Sequence, residues 1–395
     1  MANAASLNYH SAMNSPRKPF LALLIALGSV FATAAAAELL PINDNTAPPY
    51  LGITESNIYT KAATDFYAWL NRGPQQFVGT TLSFNKGSDW NGIAGASPWF
   101  FGPNTAWVEG DRAHRVLVIC TPMFPGPPDR SGATTGSCTG PVSFAAGAAG
   151  AYDWAFKGVA EQLVAHHMGN SIIRLGWEFN GTWYAWHLND SAEVADFVTY
   201  WKRIVDAMHA VPGASGLKFM WSGSVGSGTP YDIAKAYPEG NDHTNHPYVD
   251  YVGVDVYDKC WDKTVYPFPM GASDAVKLEC QKKAWSTLLK PWGNNIPQWQ
   301  AIADSHHVPF CIPEWGLWTQ ATSDPQKNQG GGGDNPYFIQ QMYNYIQDPA
   351  HHIYLAAYYD YDTTGNEAKI SNVGGVSTRY LKSSALMKQL FEIRR

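Results

Sequence analysis

The chain has 395 residues and a formal net charge of −6, with 15% charged, 45% hydrophobic and 14% aromatic residues. So many aromatics at such low charge exclude a disordered chain, and the acidic balance argues against a nucleic-acid partner, which needs a basic face to neutralise phosphates. The surplus of Trp, Tyr and Phe (16, 21 and 17) suits a protein that offers flat apolar faces to a polar, uncharged ligand, with sugars as the first candidates.

Arg17 and Lys18 precede an apolar run from Phe20 to Phe31, and Ala32 to Ala37 supply small residues before Glu38. This basic, apolar, small order predicts a secretory signal over 1–37, with the exported domain over 38–395. The run is short for a membrane span, so no membrane association is expected after cleavage, and the expected destination is extracellular or periplasmic. Export permits disulfides. Cys120 with Cys138, and Cys260 with Cys280, are spaced to close local loops, leaving Cys311 buried and unpaired in a strand pattern.

Apolar, β-branched runs then recur at 50–53, 77–84, 115–123, 171–178, 218–223, 249–257, 308–314 and 353–359. Most are apolar almost throughout, as expected of parallel strands buried on both faces. Helical patterns separate many of them. Ile58, Ala62, Phe66 and Leu70 share one face, with Gly73 placed as a C′ glycine. Val194, Phe197, Val198, Trp201, Val205 and Met208 form another face, with Asp190 and Glu193 resembling a capping box. Asn335 and Pro336 read as N-cap and N1 of a later helix, and Leu381, Ala385, Leu386 and Leu390 mark the last. Eight strands alternating with helices predict a single-domain (β/α)₈ barrel, with an open doubly wound sheet as the alternative. Residues 85–114 are rich in Gly and Trp and show no clean helix. Gly330 to Gly333 read as a mobile loop on the active face.

In such a barrel the catalytic groups stand at the C-terminal ends of strands. The fourth strand runs into Glu178 and the seventh into Glu314, each wrapped in tryptophan. Buried carboxylates are rare without a reason, and glycosidic cleavage supplies one: an acid for the leaving oxygen and a second carboxylate for the anomeric carbon. Trp183 and Trp315 are candidate sugar-stacking faces. Asn180 either bonds a sugar hydroxyl or caps the turn after the strand. Tyr358 to Asp362 end the eighth strand, as a neighbouring subsite or a polar rim. Paired histidines point apart and make poor chelates, and His243 with His246 lie in a Pro/Asn/Gly-rich loop. HExxH, GxSxG and phosphate-loop motifs are absent, so neither a metal nor a cofactor is expected.

The stretch Arg174 to Trp186, RLGWEFNGTWYAW, resembles the acid/base motif of glycoside hydrolase family 26. Tyr248 to Asp258, YVDYVGVDVYD, resembles that family's sixth strand, and Pro313-Glu314-Trp315-Gly316 its nucleophile strand. The family includes β-mannanases and belongs to a clan of retaining (β/α)₈ glycosidases with catalytic glutamates on strands four and seven. The resemblance implies Glu178 as general acid/base, Glu314 as nucleophile and Arg174 as a site arginine. It implies Trp183 as a sugar platform, and Asp255 and Tyr257 as a polar pair near the nucleophile, the Tyr257 hydroxyl meeting Glu314. The family's usual histidine before the acid/base is Trp177 here, at a position that contacts the sugar beside the scissile bond. The function implied is a secreted retaining β-glycosidase acting inside a β-1,4-linked polysaccharide. Mannan is the family default, and mixed-linkage β-glucan, β-1,3-xylan and a bacterial exopolysaccharide are the other substrates weighed. A sugar-binding barrel without catalysis is the competing class, which has no need of both glutamates. Sequence leaves the oligomeric state open.

Overall fold

The computed structural model describes residues 48–54, 60–73, 76–81, 90, 98–132, 140–226, 228–319, 330–363, 366–373 and 378–392. The signal expected over 1–37 lies outside them, as do Ile58 and Cys138. Eight strands, β1 Tyr50–Thr54, β2 Gln76–Thr81, β3 Arg115–Thr121, β4 Ile172–Leu175, β5 Lys218–Ser224, β6 Tyr251–Tyr257, β7 Phe310–Gly316 and β8 Ile353–Tyr359, close into one barrel in chain order. Neighbouring strands are parallel, and β8 pairs with β1. The expected (β/α)₈ architecture is the one observed. Among the described residues no helix is long and apolar enough to cross a membrane.

Alternation along the strands sorts side chains between the barrel's interior and its helix-covered face. Phe77, Val118, Ile172, Met220, Cys311 and Leu355 form an apolar plug inside, flanked by Tyr50, Tyr251 and Tyr354. Two residues further along three of these strands the inward positions turn polar, with Cys120, Arg174 and Ser222. Outward residues pack under the helices. The helix Val194–His209 shows why it forms there: Phe197, Tyr200, Trp201, Ile204, Val205 and Met208 are buried along one stripe, each such side chain contributing about 1.5–3 kcal/mol by leaving water.

β7 breaks this alternation. Gly253 of β6 pairs with Cys311, but Val256 pairs with Trp315, so β7 holds one extra residue, a β-bulge. With Cys311 inside, unbroken alternation would send Glu314 outward; the bulge turns it in and sends Trp315 out against Phe338, Tyr358 and Phe391. The Thr54 hydroxyl donates to the Pro313 carbonyl at 2.7 Å, satisfying a backbone group at the bulge. A Cβ on Gly253 would stand 3.1 Å from the Pro313 ring, so glycine there leaves room for the displaced strand.

Several expectations are corrected. Residues 85–114, expected to lack a helix, carry one over Pro98–Gly110; it is apolar on most sides and encloses Pro103, so no amphipathic stripe marked it. The first helix ends at Trp69, and Asn71 just past it, with a φ of 54°, takes the left-handed role assigned to Gly73. Glu193 makes no capping bond; it pairs instead with Arg130. Asn335 caps its helix as expected, accepting from Phe338 N. Gly330 to Gly333 are not a mobile loop but a buried, packed run: a Cβ on Gly330 would meet the Trp261 ring at 3.1 Å, and one on Gly332 the Asp258 carboxylate at 2.4 Å. Cys120 is a free thiol because its place on β3 turns it into the barrel, and Cys260 and Cys280 are unbridged thiols packed as small apolar groups beside Val265, Tyr266 and Ala284.

Candidate active site

β4 stops at Leu175, three residues short of the expected end. Gly176 and Glu178 both adopt left-handed backbone, with φ of 52° and 51°. For glutamate this conformation costs free energy and persists only where surroundings impose it. Here they do. Gly176 N bonds Thr121 O at 2.8 Å and Glu178 N bonds Ser222 O at 3.0 Å, holding the turn between β3 and β5. Asn180 adds a two-way tie: its Nδ2 donates to Ser224 O and its Oδ1 accepts from Ser224 N, both at 2.8 Å. Its amide thus fastens the turn to the end of β5.

The chain then runs through Trp183, Tyr184 and Trp186. Arg130 anchors this loop by donating to the carbonyls of Ala185 and His187 while paired with Glu193. Trp186 Nε1 donates to Trp177 O at 2.8 Å. Trp177 is buried against Tyr184 and Trp186, and its indole N–H goes to the Tyr184 hydroxyl at 3.0 Å. Trp177 therefore braces Tyr184, and it is Tyr184 that reaches the cleft wall. Trp183 is 46% exposed, and its Nε1 donates to Glu178 Oε2 at 2.8 Å.

Both glutamates line one cleft of about 850 Å³ at the C-terminal ends of the strands, with Trp183, Tyr184, Ser224, Tyr257, Lys259, Trp261, Trp318 and Tyr359 among its walls. Their settings differ. Glu314 receives two donors: the Tyr257 hydroxyl on Oε1, and Arg174 Nη1 on Oε2 at 3.2 Å. That suits an acceptor-only carboxylate. Glu178 is only 9% exposed. Burial, with the Glu314 charge second, pushes its carboxyl above the usual range, against the opposing pull of Arg174 and of the Trp183 N–H.

Arg174 organises the floor. It is 1% exposed and directs Nη2 to Asp255, Nε to Ser222 Oγ at 2.9 Å and Nη1 to Glu314. Its neighbour Asp255 is fully buried; desolvation lifts its carboxyl above the ordinary value, and Arg174 opposes the lift.

Of the residues singled out in the sequence, Arg174, Glu178, Trp183, Asp255, Tyr257 and Glu314 converge here. Trp177 and Asn180 stand behind the wall as supports. Trp315 lies in the helix-packed layer; Trp318, two residues past the end of β7, takes the place at the cleft. Lys259 and Trp261, on the segment after β6, were not singled out, since no strand pattern marks that loop.

Residues 159–271 match the family model of glycosyl hydrolase family 26. No curated protein matches the chain. Among solved structures, the YdhT protein from Bacillus subtilis aligns with a TM-score of 0.52 at 15% identity, over 88% of this chain and 85% of that one. Bacillus subtilis mannanase man26 aligns at 0.50 and 14% identity over 85% and 83%. The catalytic domain of a Bacillus sp. JAMB-750 family 26 endo-β-1,4-mannanase aligns at 0.50 and 13% identity over 87% and 86%. At such identities the structural likeness speaks for the fold, while the family model covers the acid/base motif and the sixth strand. On residues 159–271, the segment that builds the Glu178 wall, the chain is thus similar to glycosyl hydrolase family 26.

Proposed function

We propose that the chain is a secreted retaining β-glycosidase that cuts inside a β-1,4-linked polysaccharide such as β-mannan. Glu314 acts as nucleophile and Glu178 as general acid/base. The single observation that carries this reading is the unequal setting of two glutamates in one cleft: one bonded by Arg174 and Tyr257, the other desolvated and lifted toward its protonated form.

In the first step Glu314 attacks the anomeric carbon while Glu178 passes its proton to the departing glycosidic oxygen. In the second, Glu178, now ionised, takes a proton from water as that water displaces Glu314. The Tyr257 hydroxyl and Arg174 steady the Glu314 carboxylate before attack and after its release. Trp183 offers an exposed ring to a sugar while its N–H orients Glu178. The solved mannanases with this fold support mannan as the first substrate to test, and the segment over 1–37 supports export.

The test is incubation with purified β-mannan, mixed-linkage β-glucan and β-1,3-xylan, with products followed by anomeric proton NMR. The expected first product is a β-configured reducing end from within a chain. An α-configured first product overturns the double displacement, and no release from any polymer, together with binding to one of them, favours the sugar-binding alternative.

A further inference from the structure

One wall of the cleft is built from the segment that follows β6, and it carries a cation in an unusual setting. Lys259 Nζ lies 4.2 Å from the ring centre of Trp318 and 5.1 Å from that of Trp261. The side chain is half-buried, and desolvation pulls its ammonium pKa down, against the attraction of Glu178. No carboxylate among the described residues stands within ion-pair distance of it; that is common for exposed lysines, but Lys259 is half-buried and desolvated. Aromatic faces attract the charge, but they leave the ammonium N–H donors without a strong acceptor.

The mount is firm. Cys260 N donates to Gly330 O at 2.7 Å, and Lys259 bridges Gly331. The Trp261 ring rests on Gly330, yet it remains 59% exposed. Asp262, the further carboxylate among the lining residues, is fully exposed and its Oδ1 is taken up by Thr264 N and Oγ1. An unpaired ammonium near Glu178 also works against the acid role, because it favours the ionised carboxylate. A negative group brought in by the substrate cancels that effect.

We infer that this wall is a subsite for an acidic sugar: a uronosyl residue of the β-linked chain places its carboxylate on Lys259, beside the exposed ring of Trp261. The inference rests on the glycosidase reading and sharpens its substrate from a neutral polysaccharide to one bearing carboxylates.

The test uses oligosaccharide pairs that differ only at C6: β-1,4-mannohexaose against its mannuronate counterpart, and cellohexaose against its glucuronate counterpart. Binding is measured by calorimetry on the full chain carrying Glu314→Gln, with and without Lys259→Gln. In at least one pair the acidic member is expected to bind at least tenfold more tightly, equivalent to about 1.4 kcal/mol. Lys259→Gln should erase that margin while changing the neutral member less than twofold. Equal binding within both pairs, or a neutral preference, overturns the inference. So does an equal loss for both members in Lys259→Gln, the result if Lys259 only tunes Glu178 or props Trp318. Cleavage of neutral polymers by the unaltered chain would then leave the glycosidase reading standing; no binding and no cleavage at all would remove both.

Discussion

Tyr257→Phe isolates one hydrogen bond at the centre of the proposed mechanism. The ring of Tyr257 packs edge-on against Trp318, with centroids 4.7 Å apart, and against Tyr359 at 6.1 Å. Phenylalanine keeps those contacts and removes only the hydroxyl that donates to Glu314 Oε1. A hydrogen bond to a charged partner contributes about 1.5–3 kcal/mol. In the first step Glu314 gives up its charge to the sugar, so the lost bond has little leverage there. In the second step the carboxylate departs and regains its charge, and the missing donor raises that barrier by most of the bond's value. Hydrolysis of the glycosyl-enzyme should therefore slow by about 10–100-fold.

The assay is stopped-flow with an aryl β-glycoside whose phenol leaves without acid assistance. The variant should release a burst of phenol equal to the enzyme concentration and then turn over slowly, and intact-mass measurement should show the glycosyl adduct on Glu314. A turnover within twofold of the parent, with no burst, would refute the role given to the hydroxyl. A burst with the adduct elsewhere would reassign the nucleophile.

Glu178→Ala should spare substrates with activated leaving groups far more than the polymer itself; equal slowing of both, measured as kcat/KM, contradicts the acid role. Because Glu178 is lifted by burial and by Glu314, and the first step needs it protonated, kcat/KM on the polymer should fall as pH rises through its pKa, a limb that Glu178→Ala removes. Arg174→Met leaves Asp255 without its partner in the floor, and burial then drives its carboxyl further toward the neutral form; the unmet hydrogen bonds should cost about 1–3 kcal/mol of stability, read by urea denaturation, and an unchanged stability would contradict the organising role of Arg174. Asp258 is pushed up to about 6, chiefly by burial and against bonds from Asn335 and Tyr266. Its folded pKa exceeds the unfolded one, so its contribution is complete below about pH 4 and is lost as pH rises to about 6. The loss is about 3 kcal/mol. Denaturation across that window should show a decline that flattens in Asp258→Asn.

The barrel was legible because parallel strands covered on both faces are apolar along their whole length, and that pattern needs no partner to be read. The helix over Pro98–Gly110 was not, since its exposed face is made largely of Gly102, Pro103, Ala106 and Gly110, which set no polar period. Trp315 and Trp318 exchanged places for a related reason. Trp315 lies within β7 and Trp318 two residues past it, and which one faces the cleft depends on one inserted residue in β7, visible only in its pairing with β6. Strict alternation would have pointed Glu314 outward; its place at the end of an apolar strand beside Trp315 and Trp318, not periodicity, marked it. Lys259 escaped notice because its setting is made by Trp318, 59 positions away in the chain.

The two glutamates share a feature that regular strands do not provide. Glu178 sits on a left-handed turn just past β4, braced by Ser222, Ser224 and the Arg130-anchored loop, while Glu314 sits at a bulge braced by Thr54. Each irregularity costs some backbone free energy and turns a carboxyl group into the cleft. Displacing Glu314 by one position along β7 would carry its side chain into the helix-packed layer where Trp315 meets Phe338, Tyr358 and Phe391. The supports behind the wall are therefore as much part of the site as the groups that face the cleft, and Trp177 belongs with the supports: its indole N–H holds the Tyr184 hydroxyl, and Tyr184 lines the cleft.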